Sequence, residues 1–153
     1  MNVFEEFKRL VLQLEKQAVV RYALVGGVAM AFYTEPRFTR VDLLVDSEDF
    51  EKTKSILEKD GYFESALPWT FPEVAIELHR FLKVADEDDE MLIDIVVARN
   101  GETREIIRNA VEAESGHGRV MLVSKPDLIW LKRTRDSKQD RVDIEKLEDD
   151  KDR

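Results

Sequence analysis

The segment LVGGVAMAFYTEPRFTRVDLLVD, residues 24–46, contains the pattern that decides the fold prediction. A short apolar run leads into a glycine pair, Gly26 and Gly27, and a second apolar run carries one carboxylate, Asp42. The two runs are typical of buried strands, and the Ala-rich segment 28–34 is typical of a helix that Pro36 ends. The segment therefore predicts strand, glycine turn, helix and strand in that order.

The rest of the chain alternates between segments with the two-residue apolar period of a strand and segments with the three- to four-residue apolar period of a helix. Apolar residues alternate over 77–85 and fill 91–98, and the acidic stretch 86–90 between them predicts an antiparallel hairpin. The other patterns predict strands over 22–26, 41–45 and 119–123, helices over 3–18, 46–61, 101–114, 124–134 and 137–150, and an irregular segment over 62–77. We expect one domain over residues 1–153, an α/β (or α+β) fold with a small mixed β-sheet and flanking helices. The C-terminal helices cover about 124–150, and the charged tail 148–153 is expected to fray.

Composition excludes several classes of protein. The 153 residues carry a net charge of −9, which argues against charge-driven, non-specific nucleic-acid binding. The absence of cysteine excludes disulfides, thiolate zinc sites and cysteine nucleophiles. The N-terminus alternates charged and apolar residues, unlike a signal peptide, and no apolar run is long enough to span a membrane. We therefore expect a cytoplasmic protein.

Two apolar strands contain a carboxylate, Asp42 in the first and Asp94 in the second. A buried carboxylate without a counter-charge costs several kcal/mol, so such residues are neutralised, paired or bound to a cation. Carboxylates converging from two strands are one way in which proteins hold Mg²⁺ against a nucleotide phosphate. The alternative is that both lie at strand ends, where they cap loops or pair with Arg37, Arg40 or Arg99.

The glycine pair allows two interpretations. Glycines between a strand and a helix let the backbone approach a phosphate, whose charge the helix N-terminus favours. The same pair can also serve only to reverse the chain tightly.

Three segments together resemble the nucleotidyltransferase superfamily, which has the polymerase-β-like fold. ALVGGVAMAFYTEPRFTRVDLLV (23–45) is similar to its first motif, and MLIDIVV (91–97) resembles the strand that carries its third carboxylate, here Asp94. The segment 123–148 resembles its C-terminal helices, with a lysine and an aspartate at Lys132 and Asp140. The resemblance covers about residues 20–148, and the nearest branch is the small bacterial proteins related to the AbiEii abortive-infection toxins.

This resemblance implies transfer of a nucleotidyl group from an NTP to an acceptor with the help of Mg²⁺. In the toxin branch the acceptor can be a tRNA end, in the related antitoxin branch it can be a protein tyrosine, and an antitoxin-like partner is expected. By the same resemblance we assign catalytic roles to Asp42, Asp94 and Lys132, metal binding to Asp42 and Asp94, and nucleotide binding to Gly26, Gly27, Arg37 and Asp140.

The first motif departs from the family pattern Arg-x-Thr-x-Asp-hydrophobic-Asp, because RFTRVD is one residue short. With a gap after Arg40, Asp42 matches the second carboxylate, the first is missing, and Arg40 shares the face of Asp42. Without a gap, Val41 and Leu43 replace both carboxylates and Asp42 points to the opposite face. We prefer the gap, since it keeps the aspartate at the site. Asp46 is roughly 13 Å further along the strand and is expected to cap the next helix instead.

Two hypotheses follow. The chain is an active or weakly active nucleotidyltransferase, or it is a catalytically degenerate relative that binds a nucleotide, RNA or protein. Lys132 also has a structural interpretation, as a lysine at the edge of the core, and the acidic residues after it could form a solvated helix face.

Overall fold

The computed structural model describes residues 3–17, 20–33, 41–71, 76–86, 89–115, 118–135 and 137–149. Its helices are α1 (Val3–Gln17), α2 (Gly26–Tyr33), α3 (Phe50–Lys59), α4 (Gly101–Arg108), α5 (Lys125–Arg135) and α6 (Lys138–Asp149). Its strands are β1 (Tyr22–Val25), β2 (Val41–Asp46), β3 (Phe63–Glu64), β4 (Trp69–Phe71), β5 (Ile76–Asp86), β6 (Asp89–Ala98), β7 (Val111–Ser115) and β8 (Gly118–Leu122).

These strands form a mixed sheet in the order β3-β5-β6-β2-β1-β8-β7, with β4 also pairing with β5. The pairs β2/β6 and β1/β8 are parallel, and the other pairs are antiparallel. The antiparallel hairpin expected from the acidic stretch is β5/β6. The predicted fold class, a mixed α/β sheet with flanking helices, is therefore confirmed.

The core follows from the periodicities of the chain. Helix α1 buries one stripe, formed by Phe7, Leu10, Val11 and Leu14. Helix α2 packs on β1 and β2, which places the glycine pair directly at the end of β1. Full burial of each large apolar side chain contributes roughly 1.5–3 kcal/mol, so these faces hold the helices on the sheet. Among the described residues, no helix is long and apolar enough to cross a membrane.

Two element predictions were wrong in part. The helix predicted over 101–114 ends at Arg108, and Val111–Ser115 is strand β7 instead. Residues 111–115 bond to β8, and this pairing overrides the weak helical pattern of the segment. The segment predicted as irregular contains β3 and β4, which both pair with β5. The prediction for Pro36 lies outside the described residues.

Candidate functional site

Asp42 and Asp94 are register partners on the adjacent parallel strands β2 and β6. Side chains that are directly opposite each other on neighbouring strands project from the same face of a sheet. The Asp94 side chain is 0% exposed. The two strand carboxylates therefore share one face of the sheet, and the gap in the first motif stays a prediction.

Asp42 also lies against the glycine turn. Strand β1 ends at Val25, the register partner of Asp42, and α2 begins at the next residue, Gly26. A Cβ placed on Gly26 would lie 1.8 Å from Oδ2 of Asp42, and Gly26 has a φ of 72°. Only glycine has no Cβ to clash with the Asp42 carboxylate and adopts this positive φ without strain. The carboxylate thus lies at the N-terminus of α2, where the helix dipole stabilises negative charge.

The neighbouring positions of β2 do not supply a further carboxylate. Leu44, two residues after Asp42 on the same face, is buried in the core. Asp46 accepts a hydrogen bond from the backbone N–H of Glu48 (3.0 Å) and pairs with Nε of Arg104 (3.3 Å), so it caps the next turn as expected. Arg40 and the predicted phosphate ligand Arg37 lie outside the described residues.

Arg80 is a residue that the sequence analysis missed. It lies opposite Asp94 on β5, and its Nε and Nη2 donate hydrogen bonds to Oδ1 (2.9 Å) and Oδ2 (3.1 Å) of that carboxylate. Its guanidinium carbon lies 5.0 Å from the ring centroid of Trp69 on β4. The hydrogen bonds to Asp94 raise the pKa of Arg80, and Coulombic attraction by Asp94 and Asp42 adds to that rise. The guanidinium is therefore a fixed positive charge within the candidate site.

The described residues offer two carboxylates, Asp42 and Asp94, to a magnesium ion that enters with a nucleotide. Mg²⁺ commonly uses one or two carboxylates together with substrate phosphates, which Asp42, Asp94 and a triphosphate would provide. A two-ion site needs more carboxylate ligands than these two. Arg80 also opposes an ion, because it occupies both oxygens of Asp94. In the described part of the chain, no group of three or more histidine or acidic side chains is arranged to hold a metal.

Lys132 and Asp140 belong to a second cluster, between α5 and α6. The Lys132 side chain is 4% exposed, and its Nζ donates a hydrogen bond to Asp143 (2.9 Å) and lies 3.7 Å from Asp140. Asp140 also accepts hydrogen bonds from the backbone N–H (3.0 Å) and the hydroxyl (2.7 Å) of Ser137. These contacts give Lys132 a structural role in joining two helices, and the catalytic role assigned to it stays a prediction.

Comparison with solved structures shows which proteins share this fold. No protein-family model matches the chain, and no curated protein resembles it significantly in sequence. The lincomycin-bound lincosamide antibiotic adenylyltransferase LnuA is 18% identical, with a TM-score of 0.61 over 97% of this chain and 98% of LnuA.

Two further structures agree with this similarity. ANT(2'')-Ia in complex with adenylyl-2''-tobramycin is 13% identical, with a TM-score of 0.62 over 94% of this chain and 86% of that chain. An antigenic nucleotidyltransferase-like protein from Paracoccidioides brasiliensis is 15% identical, with a TM-score of 0.59 over 95% and 75% of the two chains. At these identities the similarity establishes the fold and not the activity. The protein has the nucleotidyltransferase fold over nearly its whole length.

Proposed function

We propose that residues 1–153 act as one nucleotidyltransferase-like domain, which binds an NTP beside Gly26 and transfers its nucleotidyl group to an acceptor hydroxyl. The acceptor oxygen would form a bond to the α-phosphorus as the bond to the β-phosphate breaks, so that pyrophosphate leaves and the hydroxyl proton is released. The observation that carries this proposal is the arrangement of Asp42 and Asp94, in register on one face, with Asp42 against the glycine turn. It places two carboxylates beside a helix N-terminus that favours phosphate.

Each residue of the site then has a defined role in the proposed transfer. The missing side chain of Gly26 leaves room for the Asp42 carboxylate, and the phosphates would approach this end of α2 together with the ion that Asp42 holds. Asp42 and Asp94 would hold one Mg²⁺ that enters with the nucleotide, and this ion would neutralise charge on the triphosphate. Asp94, released from Arg80, would orient the acceptor hydroxyl. With fewer carboxylates than a two-ion site uses, we expect slow turnover.

The resemblance of the first motif supports a nucleic-acid or protein acceptor. Within the AbiEii-related branch this means a tRNA end or a protein tyrosine, together with an antitoxin-like partner. The structural neighbours support a third class of acceptor, since the ANT(2'')-Ia structure contains an adenylylated aminoglycoside. Acceptors of all three classes therefore belong in one assay.

A second candidate function is binding without turnover, and the Arg80–Asp94 pair favours it. Both oxygens of Asp94 accept from Arg80, so the carboxylate is already neutralised within the protein. A site with one carboxylate missing and another neutralised would bind metal weakly. In this candidate the chain is a nucleotide-, RNA- or protein-binding module.

One labelling experiment separates the two candidates. The purified protein is incubated with Mg²⁺ and each α-labelled NTP, in the presence of total tRNA, cell proteins, or a lincosamide and an aminoglycoside. We expect label on one acceptor class, its loss in Asp42→Asn, and its retention in Asp46→Asn, which makes the same change at a helix cap. Nucleotide binding without any labelling establishes the binding module, whereas the absence of both labelling and nucleotide binding contradicts the nucleotide site.

A further inference from the structure

On the basis of the proposed nucleotide site, we infer that the Arg80 guanidinium is a permanent cation that replaces part of the positive charge that a metal ion would bring to the triphosphate. It neutralises Asp94 and presents free donors to the triphosphate, so that nucleotide binding does not depend on a divalent metal. Arg80 is thus a nucleotide-binding residue that the known pattern of carboxylates does not contain.

The position of Arg80 supports this role. Arg80, Asp94 and Asp42 are register neighbours on β5, β6 and β2, so they form one row on one face of the sheet. Adjacent strands are about 4.8 Å apart, and the row therefore extends about 10 Å, a span that a triphosphate can cover. One end of the row is the guanidinium, and the other end is the carboxylate beside Gly26.

The hydrogen bonding of Arg80 leaves donors for a ligand. Within the described residues, its hydrogen bonds use Nε and Nη2, and none of them uses Nη1. The side chain is 27% exposed, whereas that of its partner Asp94 is fully buried. A guanidinium that holds a carboxylate on one edge can accept phosphate oxygens on the other, because its five N–H donors lie in one plane.

The charges in the row agree with this role. The row combines two acidic residues, Asp42 and Asp94, with one basic residue, Arg80, and the hydrogen bonds of Arg80 are to Asp94. In a site with three carboxylates, bound metal ions offset much of the repulsion of an incoming triphosphate. Here the Arg80 guanidinium offsets part of that repulsion. If the first carboxylate of the family motif is missing, as the gapped alignment implies, the repulsion is lower again.

Trp69 keeps the cation in place. Its ring centroid lies 5.0 Å from the guanidinium carbon of Arg80, and two hydrogen bonds to Asp94 also hold the guanidinium. A stacked, bidentate guanidinium is already ordered before a ligand arrives, and a lysine cannot reproduce this geometry. Because Trp69 is 42% exposed and close to Arg80, its fluorescence should report a ligand at this end of the row.

The first measurement compares nucleotide binding in EDTA and in Mg²⁺ by calorimetry and by Trp69 fluorescence. The fluorescence is recorded in a Trp130→Phe background, since the chain has two tryptophans. We expect the wild-type Kd to differ less than about threefold between the two conditions, or about 0.65 kcal/mol. A strict requirement for Mg²⁺ in the wild type would overturn the inference and leave the proposed nucleotide site intact.

The variants give the second comparison. We expect Arg80→Gln to lose about tenfold or more of its affinity in EDTA and to regain part of it with Mg²⁺, and Arg80→Lys to lose less. Arg99→Gln removes the arginine that follows β6, which pairs with Glu77 and is 53% exposed, and this variant should bind nucleotide like the wild type. Equal affinity of Arg80→Gln and Arg99→Gln in EDTA would contradict the inference.

A third measurement needs no nucleotide and keeps the two proposals separable. Binding of Mn²⁺, followed by electron paramagnetic resonance, should be about tenfold tighter in Arg80→Gln than in the wild type, because the positive charge that repels an ion from the two carboxylates is then removed. If no nucleotide binds under any condition, the proposed function fails together with the inference that rests on it, and the manganese result still tests whether Arg80 keeps a metal ion out of the row. Equal Mn²⁺ binding by both proteins would show that it does not.

Discussion

Oδ2 of Asp42 lies 1.8 Å from the place where a Cβ on Gly26 would be. This close approach joins the two features that stand out in the sequence, the glycine pair and the carboxylate in a strand. It also explains why β2 tolerates a charge, since Asp42 is at the N-terminus of α2 rather than within the apolar core.

Gly26→Ala should therefore damage the protein more than a substitution at another glycine with positive φ. Gly61, with a φ of 95°, is the matched control, because a Cβ there would meet only side-chain atoms of Lys83, at 3.6 Å or more. We expect Gly61→Ala to lower the free energy of unfolding by about 1–2 kcal/mol and Gly26→Ala by about 3 kcal/mol or more, in urea titrations. Adding Asp42→Ala to Gly26→Ala should recover part of the difference. If Gly26→Ala and Gly61→Ala lowered the free energy of unfolding equally, the Asp42 side chain would have moved away from the new Cβ without an energetic cost.

Lys132→Met should act on stability rather than on ligand binding. The substitution leaves Asp140 and Asp143 buried without their cation, which costs about 3–5 kcal/mol. Arg133→Ala, at an exposed neighbouring pair with Glu148, should change stability by less than about 0.5 kcal/mol. Thermal melts and nucleotide titrations below the melting temperature test this. A Lys132→Met protein with unchanged melting that fails to bind nucleotide would instead support a direct role in the site.

Arg40→Asp should strengthen metal binding. The substitution gives the chain two carboxylates two residues apart, the spacing that the shortened first motif lacks. We expect Mn²⁺ affinity to rise about tenfold and any Mg²⁺-dependent labelling to increase, because another oxygen ligand joins Asp42 and Asp94. Arg21→Asp makes the same charge change at an exposed residue before β1 and serves as the control. Similar gains in both variants would indicate a general effect of charge.

The three tyrosines of the chain predict how stability falls at high pH. Tyr22, Tyr33 and Tyr62 are buried, and desolvation raises the pKa of each. The Tyr33 hydroxyl donates a hydrogen bond to the Val123 carbonyl (2.7 Å), which ionisation would abolish. A raised pKa means that the folded state favours the neutral phenol, so its stabilising contribution is complete below about pH 10 and is lost as the pH rises above that value.

An alkaline titration checks this behaviour. Tyrosinate absorbance at 295 nm should appear together with the loss of the circular dichroism signal, because the phenols ionise only as the chain unfolds. Titration of the tyrosines near pH 10 in a protein that keeps its native spectrum would contradict the assignment of all three to the core.

The sequence predicted most of the fold because its signals are local. The glycine pair, the acidic turn and the apolar periodicities each lie within a few neighbouring residues, and they gave α1, α2, the β5/β6 hairpin, α5 and α6. The same signals singled out Asp42 and Asp94 as carboxylates in strands. The strand Val111–Ser115 was missed because its pairing partner, β8, determines its conformation and its own pattern does not.

The tertiary structure alone decided which residues surround those two carboxylates. If the register of the pair Asp86–Asp89 continued unbroken along the hairpin, Phe81 would lie opposite Asp94, but an irregularity between Val84 and Asp86 shifts the register by one residue and places Arg80 there. Likewise, the packing of α5 on α6 gives Lys132 its aspartate partners. The sequence by itself determined the elements and the candidate carboxylates. Their counter-charges depend on strand register and helix packing, which join residues distant in the chain and leave no local pattern.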